Sequence, residues 1–327
     1  MMKQDDLNDI RIKILDRKTR LVNLTQKYVA AAEVLTLLDE VERALVRMDE
    51  GTFGRCEVCG DPIEINSLET DPLVRFCLDH LNYEQQRSLE EDLKLAMKVQ
   101  RQLLPPLDIH VPGWDIAYHY EPASFVSGDY CDIITPDEKN DHHYLIIGDV
   151  SGKGVGASML MTHLHAMFHS LIPLNLKSNE IMERVNRQLC ESTASSQFAT
   201  LILADAYDDG KVEITNAGHC PPILFSDGHY KELSTNGIPM GVLCGSGYSS
   251  SYVEMKPGDL LFLYTDGLSE ASKEEVQFET DRILRLRSSF RDMDSRQIVE
   301  TAKMELNNFM NGAQKADDLT IMVLKKI

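Results

Sequence analysis

Four short stretches of the sequence share one arrangement, in which an aspartate stands beside a glycine or a turn at the edge of an apolar, strand-like run. They are FVSGDYCD with Asp129, YLIIGDV with Asp149, LLFLYTDG with Asp266, and ADDLTIMVL with Asp317 and Asp318. One such aspartate is usually a turn residue or a helix cap. Several converging carboxylates, however, repel one another unless cations lie between them. All-oxygen sites suit Mg²⁺ or Mn²⁺ rather than Zn²⁺, so the pattern predicts a divalent-cation site.

The loop after one of these runs has features of a nucleotide-binding loop. Residues 144–160, YLIIGDVSGKGVGASML, follow the order strand, glycine-rich turn with a lysine, and helix. The spacing differs, because three residues separate Gly148 from the Gly152-Lys153 pair and no serine or threonine follows the lysine. Asp149 also puts a carboxylate where a phosphate would lie. A nucleotide-binding enzyme is therefore disfavoured, and Asp149 is interpreted as a metal ligand.

From residue 107 onward, strand-like runs occur in succession and helical stretches occur in pairs. The runs are 114–121, 126–134, 143–149, 198–207, 211–216, 221–225, 250–255, 259–265 and 319–325, and the helical stretches are 155–171, 178–194, 279–289 and 295–311. This grouping predicts an α+β fold with sheets inside and helices outside, rather than a regular βαβ alternation.

Eight segments within roughly residues 90–327 carry a family resemblance. They are EEDLKLAMKVQRQLLPP, VSGDYCD, GDVSGKGVGASMLM, FATLILAD, TNAGHCPPIL, GIPMGV, PGDLLFLYTDGLSEA and ADDLTIMVL. In this order they resemble the metal-dependent type 2C serine/threonine protein phosphatases (PPM), in the bacterial SpoIIE/RsbU branch. The resemblance implies an αββα sandwich over residues 107–327, with two Mn²⁺ or Mg²⁺ ions in a cleft between the sheets.

The resemblance also implies a role for each acid. Asp149 is expected to bridge both metals, helped by the Val150 carbonyl, and Asp266 and Asp317 to bind the second metal. Asp129 is expected to act near the first metal. Asp318 is expected to support the site without binding a metal.

The implied reaction is hydrolysis of phosphoserine or phosphothreonine by a metal-activated water, with no covalent phosphoenzyme. Ser151 lies outside any G-x-S-x-G nucleophile elbow and is interpreted as a turn residue. The family makes a STAS-type anti-anti-sigma factor, or a similar partner-switching protein, the expected substrate. One departure from the usual pattern is Ser127 where many members have glycine, and little effect is expected from so small a residue.

Residues 51–81 contain a second metal-binding pattern. Cys56-x2-Cys59 and Cys77-x2-His80 have the spacing of a structural zinc site, with an empty or vestigial finger as the alternative. The segment resembles the zinc finger of DksA/TraR proteins, although His80 stands where that pattern usually has cysteine. Those proteins act on RNA polymerase through the tip of a helical hairpin. A transcription-associated zinc-finger protein is therefore the alternative function, disfavoured because residues 1–50 offer no evident hairpin tip.

The N-terminal region has a heptad pattern without glycine or proline from 5 to 48. Apolar residues recur at Leu7, Ile14, Leu21, Tyr28 and Leu35, and again at Ile10, Leu24, Ala31, Leu38 and Leu45. This pattern predicts one long coiled-coil helix over 1–50 and a homodimer joined through residues 7–45. The alternative is a long amphipathic helix packed on its own domain. A further helix over 82–106, ended by Pro105-Pro106, is expected to be a regulatory linker.

The formal net charge of −19 disfavours nucleic acid and anionic membranes as partners. No signal peptide and no membrane-spanning run are evident. The chain has seven cysteines, an odd number, and three of them belong to the predicted zinc site. A reduced, cytoplasmic protein is therefore expected, rather than one stabilised by disulfides. Cys131, Cys190, Cys220 and Cys244 are interpreted as buried small hydrophobes.

The histidines of the C-terminal region are interpreted as structural. His165 and His169 have ligand-compatible spacing on the helix that follows the metal loop. No neighbouring carboxylate accompanies them or His163 as in an H-E-x-x-H motif, so packing or surface roles are favoured. His219 is expected to orient the cleft without being catalytic.

Overall fold

The computed structural model describes residues 4–27, 32–77, 80, 83–107, 109, 111–136, 141–193, 197–274, 276–313 and 315–327. The chain forms two compact units, Met1–Glu91 and Asp92–Ile327. The predicted division at residues 50, 81 and 106 remains a prediction. No helix in the described ranges is both long and apolar enough to cross a lipid bilayer.

The helices, named here in chain order, are α1 (Gln4–Lys27), α2 (Ala32–Asp49), α3 (Ile65–Thr70), α4 (Tyr83–Leu103), α5 (Gly154–Leu171), α6 (Ser178–Ser192), α7 (Asp266–Ser269), α8 (Asp281–Arg285), α9 (Arg287–Phe290) and α10 (Ser295–Met310). The strands are β1 (Trp114–Glu121), β2 (Tyr130–Ile134), β3 (His142–Val150), β4 (Ala199–Tyr207), β5 (Lys211–Ala217), β6 (Ile223–Ser226), β7 (His229–Glu232), β8 (Ser251–Glu254), β9 (Leu260–Tyr264), β10 (Ser272–Lys273), β11 (Val276–Gln277) and β12 (Leu319–Lys326).

In the N-terminal unit, α1 and α2 form an antiparallel pair. Arg11 is ion-paired with Asp49 at 2.8 Å, and Lys18 with Glu42 at 3.0 Å. The prediction of one uninterrupted coiled-coil helix over 1–50 is therefore wrong. The hairpin tip that this region was expected to lack falls outside the described residues. The predicted seam positions Tyr28 and Ala31 lie outside the described residues.

The apolar seam of α1 is buried within the chain itself. Ile10, Ile14 and Leu21 are in one cluster with Val41 and with other residues of α2 and of the cysteine-containing segment. Three of the heptad positions, Ile10, Ile14 and Leu21, are buried as predicted, but residues of the same chain cover them. Their burial removes the main reason for assigning these positions to a dimer contact.

In the second unit, two five-stranded antiparallel sheets pack face to face. Their strand orders are β2-β3-β4-β5-β8 and β1-β12-β9-β6-β7. Along β3, Leu145 and Ile147 face the other sheet, while Tyr144 and Ile146 face the helices. Because both faces are covered, β3 is a nearly continuous apolar run instead of an alternating one.

Helices cover the outer face of each sheet. α5 and α6 share an apolar cluster with the first sheet, and α8 and α10 share another with the second. These layers confirm the predicted sandwich of two sheets between helices. The boundaries differ at β2, which begins at Tyr130 rather than at 126, and in the region predicted as one helix over 279–289, which forms α8 and α9.

Candidate active site

Asp149 lies at the next-to-last position of β3, where it pairs with Thr200 of β4. A Cβ atom added to Gly128 would lie 3.0 Å from the Val150 carbonyl oxygen and 3.4 Å from Asp149 Oδ1. The glycine therefore allows the backbone that precedes β2 to approach the end of β3 closely. This approach brings the segment containing Asp129 beside the Asp149 carboxylate and the Val150 carbonyl.

Asp129 is buried between the sheets and held by two hydroxyl groups. Thr265 Oγ1 and Thr320 Oγ1 donate hydrogen bonds to its Oδ2 at 2.9 and 2.5 Å. Burial raises the pKa of Asp129 well above its usual range, the two hydroxyls lower it, and the charges of Asp149 and Asp318 raise it further. The hydroxyls fix the direction of this carboxylate without neutralising it.

Asp266 begins α7 directly after β9 and lies beside the start of β12. A Cβ at Gly267 would lie only 1.8 Å from the Asp318 carbonyl oxygen, so no other residue fits there without a backbone shift. Burial raises the pKa of Asp266, and the negative charge of Asp317 adds to the increase. The close contact therefore brings the negative charges of Asp266 and Asp317 near each other at the start of β12.

Asp318 supports the loop that carries Asp129. Its Oδ1 accepts a hydrogen bond from Ala123 N at 2.7 Å, and its Oδ2 accepts one from Gly128 N at 2.8 Å. Both carboxylate oxygens therefore bind backbone N–H groups. The supporting role expected for Asp318 stays a prediction.

The cleft carries more negative than positive charge. Burial raises the pKa of Asp149 from 3.8 to about 7, and Asp266, Asp317 and Asp318 add to the increase. Lys153 opposes this effect, and its Nζ lies 2.8 Å from Asp317 Oδ2. Lys153 is exposed, so solvent screens its charge and it offsets little of the negative charge in the cleft.

The acids of the cleft are not packed into one tight cluster of ligand atoms. In the described ranges, three or more potential ligand side chains fall within 4.8 Å of one another at two places, and neither includes Asp129, Asp149, Asp266 or Asp317. The acids thus face one cleft without forming a closed protein shell around one ion. Mg²⁺ usually binds through one or two carboxylates and keeps several water ligands, so this donor set fits it.

Ser151 belongs to the turn between β3 and α5. Its backbone N–H donates to the Phe198 carbonyl, and its Oγ accepts from Phe198 N, both at 2.9 Å. These bonds tie the turn to the start of β4. The geometry agrees with a turn residue and does not present Ser151 as a nucleophile.

Comparison with known proteins assigns the family. The SpoIIE family (stage II sporulation protein E) matches residues 139–326, more than half of the chain. The chain belongs to the SpoIIE family. Phosphoserine phosphatase RsbU of Bacillus subtilis (strain 168) is 25% identical over 248 residues, which cover 74% of this chain and 72% of RsbU. As a member of this family, the chain is a protein serine/threonine phosphatase.

Solved structures show the same fold. The RsbU and RsbW domains of Rv1364c from Mycobacterium tuberculosis are 26% identical with a TM-score of 0.57, over 66% of this chain and 60% of that one, less than two thirds of its length. The SiaA-PP2C domain of Pseudomonas aeruginosa is 20% identical with a TM-score of 0.63, over 74% of this chain and 98% of that one. The SpoIIE-family domain here therefore has the PP2C fold.

Sequence reasoning missed three side chains that position the acids of this phosphatase. Thr265 and Thr320 bind Asp129, as described above. Gln100 of α4 binds the backbone of Ser127 in both directions, donating from Nε2 to its carbonyl at 2.7 Å and accepting from its N–H at 3.0 Å. All three lie inside the segments that carried the family resemblance, so their positions, though not their contacts, could have been identified.

His219 is a buried histidine of the central layer. Its Nδ1 lies 2.8 Å from Thr200 Oγ1, and burial lowers its pKa to about 4. The ring is therefore neutral at physiological pH. Because Thr200 pairs with Asp149, the expected orienting role for His219 is retained as a prediction.

The four predicted zinc ligands of the N-terminal unit converge. The ligand atoms of Cys56, Cys59, Cys77 and His80 all lie within 4.8 Å of one another. Cys59 Sγ is 3.8 Å from Cys77 Sγ, and Cys77 Sγ is 3.2 Å from His80 Nδ1. The backbone N–H groups of residues 58 and 61 point at Cys56 Sγ and Cys59 Sγ, at 3.5 and 3.4 Å. Such N–H···S contacts orient thiolate ligands, so the set fits a tetrahedral Zn²⁺.

Proposed function

We propose that this phosphatase removes phosphate from phosphoserine or phosphothreonine of a STAS-type anti-anti-sigma factor, or of a similar partner-switching protein. The observation that carries the proposal is the cleft of strand-end acids, in which burial and neighbouring acids raise the pKa of Asp129, Asp149 and Asp266. Such a cleft is stable with divalent cations bound and unfavourable without them. The likeness to RsbU and to the RsbU and RsbW domains supports a partner-switching substrate.

Two Mn²⁺ or Mg²⁺ ions would be held by Asp129, Asp149, Asp266 and Asp317, with help from the Val150 carbonyl. When bound, such ions lower the pKa of a water molecule and neutralise phosphate oxygens. The protein contributes the orientation of the ligands. The charge of Asp149 acts on the pKa of Asp129, and the charges of Asp266 and Asp317 act on that of Asp149, which supports a central place for Asp149 in the proposed site.

The small size of the cavity beside Asp266 and Asp317 favours a phosphorylated protein over a small molecule. The cavity lined by Asp266, Glu270 and Asp317 has a volume of about 110 Å³. Sites that enclose drug-sized ligands are typically about 300–1,000 Å³. A phosphoryl group can enter this cleft while the rest of its substrate stays on the protein surface.

The direct test is phosphate release from a phosphorylated STAS protein with and without Mn²⁺. Asp266→Asn removes one charge that holds the metal, so we expect turnover to fall at least about 100-fold. Asp227→Asn, on the exposed β6–β7 turn, is the matched control and should retain full activity. Activity that persists without divalent cations would contradict the metal-dependent mechanism. Hydrolysis of a chromogenic phosphate ester without hydrolysis of the phosphoprotein would contradict the STAS substrate alone.

The N-terminal cluster is assigned a structural zinc ion. Four protein ligands leave no open coordination position, which is typical of structural zinc. Metal analysis of the full-length protein should find one zinc per chain, and Cys56→Ser with Cys77→Ser should remove it. Cys244→Ser, at an exposed cysteine outside the cluster, is the control. Zinc content unchanged by the double substitution would disprove this site.

Regulation through the N-terminal unit and homodimerisation are retained as proposals. The contact of Gln100 with Ser127 supports regulation through α4, because it connects this helix to the segment before Asp129. Exposed apolar side chains on α4, among them Leu95 and Val99, offer a dimer surface other than the buried α1 seam. Light scattering on the intact protein measures the oligomeric state.

A second candidate activity is binding to RNA polymerase. The antiparallel α1–α2 pair, which packs in one apolar cluster with the cysteine-containing segment, favours it, because the DksA/TraR proteins act through a helical hairpin. Binding of the full-length protein to purified RNA polymerase, compared with the Cys56→Ser, Cys77→Ser variant, tests this activity separately from catalysis.

A further inference from the structure

A second cluster of metal-ligand side chains lies in the phosphatase unit, away from the acidic cleft. Asp132 of β2 is buried, and His165 and His169 lie one turn apart on α5. His169 Nε2 is 2.8 Å from Asp132 Oδ2, and His165 Nε2 is 3.8 Å from the same oxygen. The carboxylate that the local helix sequence lacks is thus supplied by the neighbouring strand.

The cluster is separate from the catalytic acids because it lies on the other face of β2. Asp132 follows Tyr130 by two residues, and Tyr130 packs against α5 in the layer between sheet and helices. Asp129 instead binds Thr265 and Thr320 between the sheets. Nothing in the proposed phosphatase mechanism uses Asp132 or the two histidines.

Hydrogen bonds orient the carboxylate toward the histidines. Tyr130 Oη donates to Asp132 Oδ2 at 2.9 Å, and the Ile133 backbone N–H donates to Oδ1 at 2.8 Å. Partners of this kind fix metal-binding carboxylates and tune the affinity of a site. The rings of His165 and His169 stack with centroids 4.1 Å apart, so both Nε2 atoms reach the same oxygen.

We propose that Asp132, His165 and His169 bind a divalent transition-metal ion of the zinc and nickel class. Two imidazoles and one carboxylate suit these ions, whereas Mg²⁺ and Ca²⁺ prefer oxygen donors only. Ligand atoms 2.8–3.8 Å apart can share one ion at bond lengths of about 2.0–2.2 Å. The side chain of His169 is 45% exposed, which gives the ion a route of entry and leaves an open position for water.

A bound ion would connect two elements that lead into the active site. α5 begins at Gly154, directly after the turn that follows Asp149, and β2 begins directly after Asp129. Cross-linking the second half of α5 to β2 stabilises the packing of this helix on its sheet. The ion therefore raises the thermal stability of the phosphatase unit and takes no part in the hydrolysis.

The test is calorimetric titration with Ni²⁺ of the full-length protein carrying one zinc per chain, in the cysteine cluster only, in excess Mg²⁺ to occupy the acidic cleft. We expect one additional Ni²⁺ per chain, lost in the His165→Gln, His169→Gln variant. His163→Gln, on the same helix but outside the cluster, should bind like the wild type. Tyr130→Phe removes an orienting bond and should weaken the binding about 10–100-fold.

Folding is monitored in every variant by circular dichroism and by Mg²⁺-dependent phosphatase activity, which should be unchanged in the histidine variants. Equal Ni²⁺ binding by the wild type and the double variant, or no additional Ni²⁺ in the wild type, would overturn the proposal. A Tyr130→Phe variant with wild-type affinity would overturn the orienting role assigned to Tyr130.

Discussion

Asp129 and Asp149 are two acids of one cleft with different supports. Asp129 is held by the hydroxyls of Thr265 and Thr320, while the pKa of Asp149 is governed by burial and by three neighbouring acids. An acid whose pKa is raised in the folded state destabilises the protein where it must ionise. The metal-free protein should therefore carry a stability cost at Asp149.

We expect Asp149→Asn to stabilise the metal-free protein at pH 8. The wild-type cost is absent below pH 3.8, grows as pH rises, and is complete above about 7, so the gain should be much smaller at pH 5. The interval between these two pKa values sets an upper limit of about 4 kcal/mol on the gain in the free energy of unfolding. Thermal unfolding in buffer free of Mg²⁺ and Mn²⁺ measures it.

Added Mn²⁺ provides the control for this prediction. It should raise the unfolding temperature of the wild type more than that of Asp149→Asn, because the asparagine carries no charge to attract the ion. An asparagine variant less stable than the wild type at pH 8 without metal would show that burial of Asp149 is compensated elsewhere.

At the scale of elements, the α1–α2 pair shows what a heptad pattern can establish. The pattern identified Ile10, Ile14 and Leu21 as buried, and they are. It could not tell whether a second chain or the same chain fills the seam, because both bury the same positions. The sequence YVAA at 28–31, between the helices, has no glycine or proline to indicate a break.

α4 gives an element-scale prediction through Gln100. Gln100→Ala removes two buried hydrogen bonds to Ser127, which should cost about 1–3 kcal/mol of unfolding free energy. Because Ser127 lies two residues before Asp129, we also expect a higher Mn²⁺ concentration for half-maximal phosphatase activity. Gln102→Ala, exposed on the same helix, is the matched control. A loss of stability with an unchanged Mn²⁺ requirement would limit Gln100 to a structural role.

At the scale of the molecule, the sequence predicted those features that depend on local pattern. Strand-end acids and ligand spacings are local, so the sandwich and the cysteine cluster were identified correctly. The cluster of Asp132 and His169 was not predicted from the sequence, because these residues are 37 positions apart and meet only when α5 packs on β2. The hydroxyls on Asp129 were missed for the same reason, since Thr320 is 191 residues away.

The two compact units predict two unfolding transitions in a calorimetric scan. Cys56→Ser should lower the transition of the N-terminal unit, because zinc binding contributes directly to the folding of small metal-containing domains. The transition of the phosphatase unit should keep its midpoint and its dependence on Mn²⁺. A single transition that shifts as a whole would show instead that the units unfold cooperatively.

The position of β12 has a consequence for synthesis on the ribosome. This late segment lies between β1 and β9 in its sheet, and it brings Asp317 and Thr320 to the cleft. Until it is translated, β1 and β9 expose unpaired edges, which makes a nascent chain prone to aggregation. We therefore expect the emerging phosphatase to depend on chaperones and to be inactive toward its partner until residues 317–326 have left the ribosome.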